Sequence, residues 1–388
     1  MMSFPYEKPV EPSSVNMDTN KLSDVVERFQ RQQSSGAYPG GQMVVRRNGR
    51  VVLNVAVGLA RGLRSTESIE PVNVQPQTPF PVYSSGKPLA AIAVAMLEER
   101  GLLDVEAPIA EIFPEFAQHG KGNITTLDVL THRAGILVPS LYTDYKQVAD
   151  RESVLCRLVD AKPMYKRGTF AYMPTEFGAI LCEIMHRVAG KTLSEFVTEE
   201  ISLPLNLPAL RYGLADRVHN SLAYTYWLGK DKVMVGGNNV AENFEEINNS
   251  AELFDSRNPA FSMVSDAASL AAFYEFLVNK GVTSAGKQLV SENTIRRYTT
   301  RSVSGWNKSL GTFIAVGRGF TVGTFTPSAF GWWNTGECFG HGGAFSSLAF
   351  GDYKTGLSVA IITNGNRNIS DFVKRFIPLT DRLRKACL

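Results

Sequence analysis

The chain is poor in the residues that most often advertise a site. It has 388 residues but only four cysteines and five histidines. Cys156, Cys182, Cys338 and Cys387 form no C-x-x-C pair, which excludes zinc ribbons and thioredoxin-like redox centres. Cys182 with His186, and Cys338 with His341, are lone pairs and fall short of a metal site, so no metal and no cofactor is expected. The four thiols read as reduced, as in an intracellular protein. No apolar run approaches the ~20 residues that span a bilayer. The opening MMSFPYEKPVEPSSVNMDTNK lacks a basic stretch followed by an apolar one, the mark of a secretory signal. These absences predict a cytoplasmic chain with no membrane partner. An excess of charge of one sign is missing too. Forty basic residues face 37 acidic ones, leaving +3, which predicts no nucleic-acid partner. Absent as well are G-x-S-x-G, G-x-x-x-x-G-K-[ST] and H-E-x-x-H, and with them three common hydrolase and nucleotide-binding machineries. Oligomeric state leaves no mark in the sequence.

What is present is an ordinary globular composition, 44% hydrophobic and 20% charged, with length for a large core. Leu22, Val25, Val26 and Phe29 recur at helical spacing. "GGQMVVRRNGRVVLNVAVGLA" then gives two β-rich runs around Asn48-Gly49, a strong hairpin signal. From "SSGKPLAAIAVAMLEERGLLD" to about residue 290 the pattern is mostly helical. Strand signals return between about Leu310 and Asn364, and a helix closes the chain. The expected fold is α/β of the α+β type. Its antiparallel sheet is built from the N- and C-terminal segments, flanked by helices, beside a mostly helical domain. The expected division is an extended arm over 1–20, a sheet domain from 21–83 with 291–388, and a helical domain over 84–290. A ligand cleft is expected between the last two.

Three stretches could carry chemistry. Ser84 and Lys87 stand in S-x-x-K spacing at a predicted helix start, where residues i and i+3 share a face. Burial and the helix N-terminus both disfavour an ammonium there, so the amine could serve as a base for the serine hydroxyl. The plainer alternative is a serine cap beside a surface lysine. Tyr172, just before a strongly helical run, could relay a proton or simply pack. Gly340-His341-Gly342-Gly343-Ala344 lets backbone approach a ligand closely, and a free N–H there could join that of Ser84 in an oxyanion hole. His341 reads as a base or as a hydrogen-bonding wall. His119, His132, His186 and His219 are scattered and read as structural or surface residues.

The order and spacing of these words resemble the serine β-lactamase and penicillin-binding-protein-like superfamily, in the branch of class C β-lactamases, family VIII esterases and D-aminopeptidases. "YPGGQMVVRRNGRVVLNVAVGLA" is similar to its opening hairpin and "TPFPVYSSGKPLAAIAVAMLEERGLLDVEAPIAEIFPEF" to its nucleophile segment. "ITTLDVLTHRAGI", "GTFAYMPTEFGAILCEIMHRVAGKTLSEFVTEEISLPLNL" and "FGHGGAFSSLAFGDYKTGLSVAIITNG" resemble its later segments in order. The resemblance implies a β-lactamase/transpeptidase-like fold. It implies Ser84 as nucleophile, Lys87 as its base and Tyr172 as proton relay. His341, Gly342 and Gly343 would stand where the family has K-T-G or H-x-G, and the N–H groups of Ser84 and Ala344 would hold the oxyanion.

The departures from the family pattern are informative. Tyr172-Met173-Pro174 replaces Y-x-N, removing an amide. His341 replaces a lysine, removing a fixed positive charge that would grip a substrate carboxylate. Arg133-Ala134 replaces Thr-Ser. The first two favour a neutral small-molecule ester or acyl substrate over a β-lactam or peptide. The expected activity is therefore serine carboxylester hydrolysis through an acyl-enzyme. Acyl transfer, β-lactamase or D-amino-acid amidase activity, and a non-catalytic binding protein are the alternatives. The stretch 227–258 and Trp332-Trp333 are expected to wall the pocket, or merely to pack. The literal Lys354-Thr355-Gly356 is expected to be a decoy in a turn, on the order of 25 Å from the Ser84 hydroxyl.

Overall fold

The computed structural model describes residues 4–387 except 144, 215–220, 231–233, 236, 237, 240, 242, 325–327, 333–335 and 345. Helix α1 (Thr19–Ser34) begins at Asp18, whose carboxylate accepts the N–H groups of Asn20 and Lys21, a standard N-cap. Strands β1 (Gly40–Arg47) and β2 (Arg50–Arg61) follow. Asn48 and Gly49 between them both have positive φ, 50° and 81°, the twist that a two-residue hairpin turn requires. β3 (Val72–Asn73) ends this first group. The C-terminal part supplies β4 (Val303–Asn307), β5 (Thr312–Val316), β6 (Thr321–Val322), β7 (Cys338–Gly343), β8 (Ser347–Asp352) and β9 (Leu357–Thr363). All nine form one antiparallel sheet in the order β4-β5-β6-β7-β8-β9-β1-β2-β3. Its seam pairs the two ends of the chain, from Gly41 opposite Thr363 to Arg47 opposite Leu357.

Both faces of this sheet are covered, and the strand period of two decides which residue goes where. Met43, Val45, Leu348, Phe350, Val359 and Ile361 pack with Leu22, Val25 and Phe29 of α1 and with Phe372, Phe376 and Leu379 of the closing helix Ile369–Lys385. The alternate residues Val44, Ala349, Ala360 and Ile362 face the other way, into the main core. The helix Ala267–Val278 packs against β1, β8 and β9. Helix α2 (Lys87–Glu99) runs through that core, with every residue from Lys87 to Leu97 buried. A helix apolar on all sides belongs in an interior, and its alanines let neighbours approach. Helix α3 (Glu176–Ala189) packs beside it.

The first described residues lie along the body. The Tyr6 hydroxyl donates to Asp266 at 2.7 Å, and Val10 N–H to Val51 O at 2.9 Å. Among the described residues no helix is long and apolar enough to cross a membrane.

Candidate active site

The site grows from one turn. Tyr83–Gly86 is a 3-10 helix that leads directly into α2. Three residues per turn make side chains at i and i+3 eclipse, so Ser84 and Lys87 point the same way. The Lys87 amine nitrogen Nζ lies 3.0 Å from Ser84 Oγ. Pro88 fits in the first turn of α2, where its missing N–H leaves no bond unmade. Tyr83 enters the turn with φ of +51°, a strained value for a side chain of that size. Packing holds it there: Tyr83 is buried and its hydroxyl lies 3.0 Å from Thr225 Oγ1. Ser85 points the opposite way, its Oγ donating to His341 O at 3.1 Å and lying 2.9 Å from Ser347 Oγ. Ser347 in turn donates to Val82 O at 2.8 Å. These bonds clamp the nucleophile turn onto β7 and β8.

Lys87 is completely buried. Its Nζ lies 5.3 Å from the centre of the Tyr172 ring and 5.6 Å from that of Phe177. Burial pushes the amine down to about 7, against an opposing pull from Glu176. A large fraction is therefore neutral near neutral pH, the form a general base needs.

Tyr172 completes the trio. Its hydroxyl donates to Ser84 Oγ at 3.1 Å. Its backbone is pinned by β4 and the turn after it: Tyr172 N–H donates to Asn307 Oδ1 at 3.0 Å, and Tyr172 O accepts from Ser309 Oγ at 2.8 Å. Burial raises the phenol above its ordinary range, although the bond with Ser84 works the other way. Tyr172 is thus a hydroxyl donor and not a phenolate.

His341 and His132 close the chamber. Burial, with the Lys87 charge adding to it, pushes the His341 imidazole down to about 3. Nδ1 lies 2.6 Å from Gly342 O. A carbonyl only accepts, so Nδ1 carries the proton and Nε2 is left as an acceptor. The ring centre is 6.1 Å from that of Tyr172. Of the two readings of His132, structural or surface, the buried one holds: it packs against the Tyr172 ring at 4.6 Å and accepts Met173 N–H at Nδ1. Its burial lowers it far below the usual imidazole range, and Lys87 and His341 add to the effect.

The rest of the predicted strand follows from one contact. A side chain on Gly343 would meet Val82 O at 2.0 Å, so only glycine allows β7 to touch the nucleophile turn. Ala344 then takes φ of +36°. Among the described residues, neither its N–H nor that of Ser84 donates to a backbone carbonyl.

Lys354-Thr355-Gly356 lies elsewhere. It follows Asp352, which pairs with Cys338, at the opposite end of β7 from Gly343. That is five strand residues, roughly 17 Å at 3.3 Å each. Trp332 is exposed. It follows Gly331, which packs beside Asp381 and Arg384 of the closing helix. Trp333 and His219 lie outside the described residues, as does part of 227–258. The end of that stretch does reach the site: Asn258 Nδ2 donates to Thr175 O, and just beyond it Ala260 O accepts from Ser84 Oγ at 3.3 Å. Sequence reasoning missed Asn258, Ala260, Asn307 and Glu176. No local word marks them, because each acts across at least 83 residues or through a buried contact.

Comparison with known proteins bears on the family and the fold. The family model described as Beta-lactamase matches residues 25–381. The chain is 26% identical over 305 residues to "Esterase/beta-lactamase LipL" of Mycobacterium tuberculosis, covering 73% of this chain and 68% of that protein. A penicillin-binding protein homolog from Caulobacter crescentus superposes with a TM-score of 0.81 at 26% identity, over 95% of this chain and 98% of that one. A family VIII carboxylesterase shares the fold at 23% identity with a TM-score of 0.77, over 96% and 98% of the two chains.

Proposed function

The chain belongs to the Beta-lactamase family, and from that premise we propose that it is a serine hydrolase cleaving carboxylic esters through an acyl-enzyme on Ser84. One observation carries the reading. Ser84 Oγ stands 3.0 Å from a buried lysine amine and 3.1 Å from a protonated phenol. Neutral Lys87 takes the Ser84 proton as Oγ attacks the ester carbonyl. The N–H groups of Ser84 and Ala344 receive the oxyanion. The proton then passes from Lys87, with Tyr172 handing one proton on as it takes another, to the departing alkoxide. The alcohol leaves as the C–O bond breaks. Water repeats the sequence on the acyl-serine, releasing the acid and restoring Ser84.

Substrate charge follows from His341. A neutral imidazole stands beside Lys87 on β7, so the strand offers no fixed cation to a substrate carboxylate. A neutral ester suits this wall better than a β-lactam that carries a carboxylate. The test is a rate panel: p-nitrophenyl esters from short to long acyl chains, with nitrocefin and a D-alanyl amide alongside. The best ester is expected to exceed nitrocefin by roughly tenfold or more in kcat/KM, the worth of one missing charge-assisted hydrogen bond to its carboxylate. Nitrocefin or amide turnover matching the best ester would overturn the substrate assignment.

A further inference from the structure

An apolar group on the surface beside the site has no part in the mechanism above. On the hairpin of β4 and β5, Trp306 and Phe313 are 65% and 54% exposed, and Leu310 in the turn between the strands is 48% exposed. Single exposed apolar residues are ordinary, but three on one hairpin mark a binding surface. Trp306 and Phe313 stand directly opposite each other in the ladder, so their side chains share a face. The register relates that face to the site. Val316 of β5 pairs with Thr321 of β6, and Thr321 with Gly340 of β7. Counting by the strand period of two puts Phe313 and Trp306 on the face of His341, opposite that of Gly340. Ala315, Val322 and Phe339 have the same parity, and all three pack in the main core. Because β4 is the outer strand of the sheet, the pair stands at the rim of the face that carries His341.

The same hairpin is bonded to the proton relay. Asn307 follows Trp306, and its Oδ1 accepts Tyr172 N–H at 3.0 Å and Leu310 N–H at 3.2 Å. Ser309 Oγ donates to Tyr172 O at 2.8 Å, and Lys308 N–H to Phe170 O at 3.0 Å. The turn that carries Leu310 thus holds the backbone of Tyr172, whose hydroxyl donates to Ser84 Oγ at 3.1 Å. Tyr172 hands its proton to the departing alkoxide, so the alcohol half of the ester leaves on the Tyr172 side while the acyl half stays on Ser84. Resting on the serine-hydrolase reading, we propose that Trp306, Leu310 and Phe313 are specificity-determining residues that bind the alcohol portion of the substrate, and that the substrate class is esters of long-chain apolar alcohols. An alkyl chain laid over the indole and phenyl rings leaves water. Binding energy gained that far from the reacting carbonyl still lowers the barrier measured by kcat/KM. The competing occupant is a second copy of the chain.

Two substrate series separate the alcohol side from the acyl side. Ethyl acetate and octyl acetate vary the alcohol, and p-nitrophenyl acetate and p-nitrophenyl octanoate vary the acid. The measurement is kcat/KM for all four in wild type, Trp306→Ser, Phe313→Ser and the double variant, with a thermal melt and a light-scattering mass of each. Wild type is expected to prefer octyl over ethyl acetate by roughly tenfold or more, the worth of a few methylenes taken out of water. The double variant should lose most of that preference, and each single variant part of it. The ratio of octanoate to acetate in the p-nitrophenyl series should stay at its wild-type value. If the double variant does not fold, the single variants give the same comparison at smaller size. An octyl-to-ethyl ratio unmoved in the folded variants overturns the proposal, and so does an equal fall in both series, which would reduce the hairpin to a support for Tyr172. A wild-type dimer that the variants break with the ratio unmoved gives the surface to a second copy and overturns it too. Each of those outcomes leaves the hydrolase reading standing, whereas a wild-type protein that hydrolyses none of the four esters sinks both.

Discussion

Lys87 is the residue on which the account turns, and its burial has a stability cost with a definite sign. The folded state holds its amine at about 7, far below its ordinary value of 10.5. Between those values the unfolded chain binds a proton that the folded chain has released, so this group's contribution to stability rises with pH. Below about 7 both states are protonated and the burial penalty is at its fullest. Lys87→Met, which removes the charge and keeps the bulk, is expected to melt above wild type and to lose acylation. The gap in melting temperature should be widest below pH 7 and close as pH approaches 10.5. A variant less stable than wild type at pH 6 would show that Lys87 is not under this strain. The pairing of Ser84 with Lys87 was legible, because a three-residue spacing at a helix start has few geometric outcomes. The place of His132 was not. A lone histidine is common in any sequence, and only the tertiary fold sets it against the Tyr172 ring.

At the scale of elements, the site depends on β7 lying against the nucleophile turn. The hydrogen bonds of Ser85 and Ser347 hold that contact, and Gly343 permits it. Gly343→Ala would place a methyl carbon on Val82 O and Ser347 Oγ. It is expected to cost about 1–3 kcal/mol by overpacking and to cut kcat/KM at least tenfold by displacing the Ser84 turn. Gly336→Ala, where an added carbon meets nothing within 4 Å, serves as the control and should leave both unchanged. Equal melting temperatures and rates for the two variants would contradict the clamp. The glycine-rich approach of β7 was readable from Gly340 to Gly343. The hold of Asn307 on Tyr172 was not, since those residues lie 135 apart and meet only when the β4 end reaches the helical part. The 3-10 form of the nucleophile turn was also unforeseen, because helix propensity does not distinguish its first turn from an α-helix.

At the scale of the molecule, the two ends of the chain join in one sheet along β1 and β9. That joining was foreseen from strands, then helices, then strands again. It also settles the two candidate triplets. The antiparallel register carries the chain away from Gly343 along β8, so the Lys354-Thr355-Gly356 turn comes at the far end of the sheet. The Gly-His-Gly-Gly stretch stays against Ser84. The sheet's edge order and the covering of its second face by Ala267–Val278 could not be read from local patterns, because they depend on which strands meet across long loops. The central claim is that Ser84, activated by Lys87, is acylated. Its most direct measurement is labelling with a fluorophosphonate probe, with the adduct mapped by peptide mass spectrometry in wild type and Ser84→Ala. The account predicts one adduct, on Ser84, absent from the variant. An unlabelled wild-type protein, or an adduct that persists in Ser84→Ala, would contradict it.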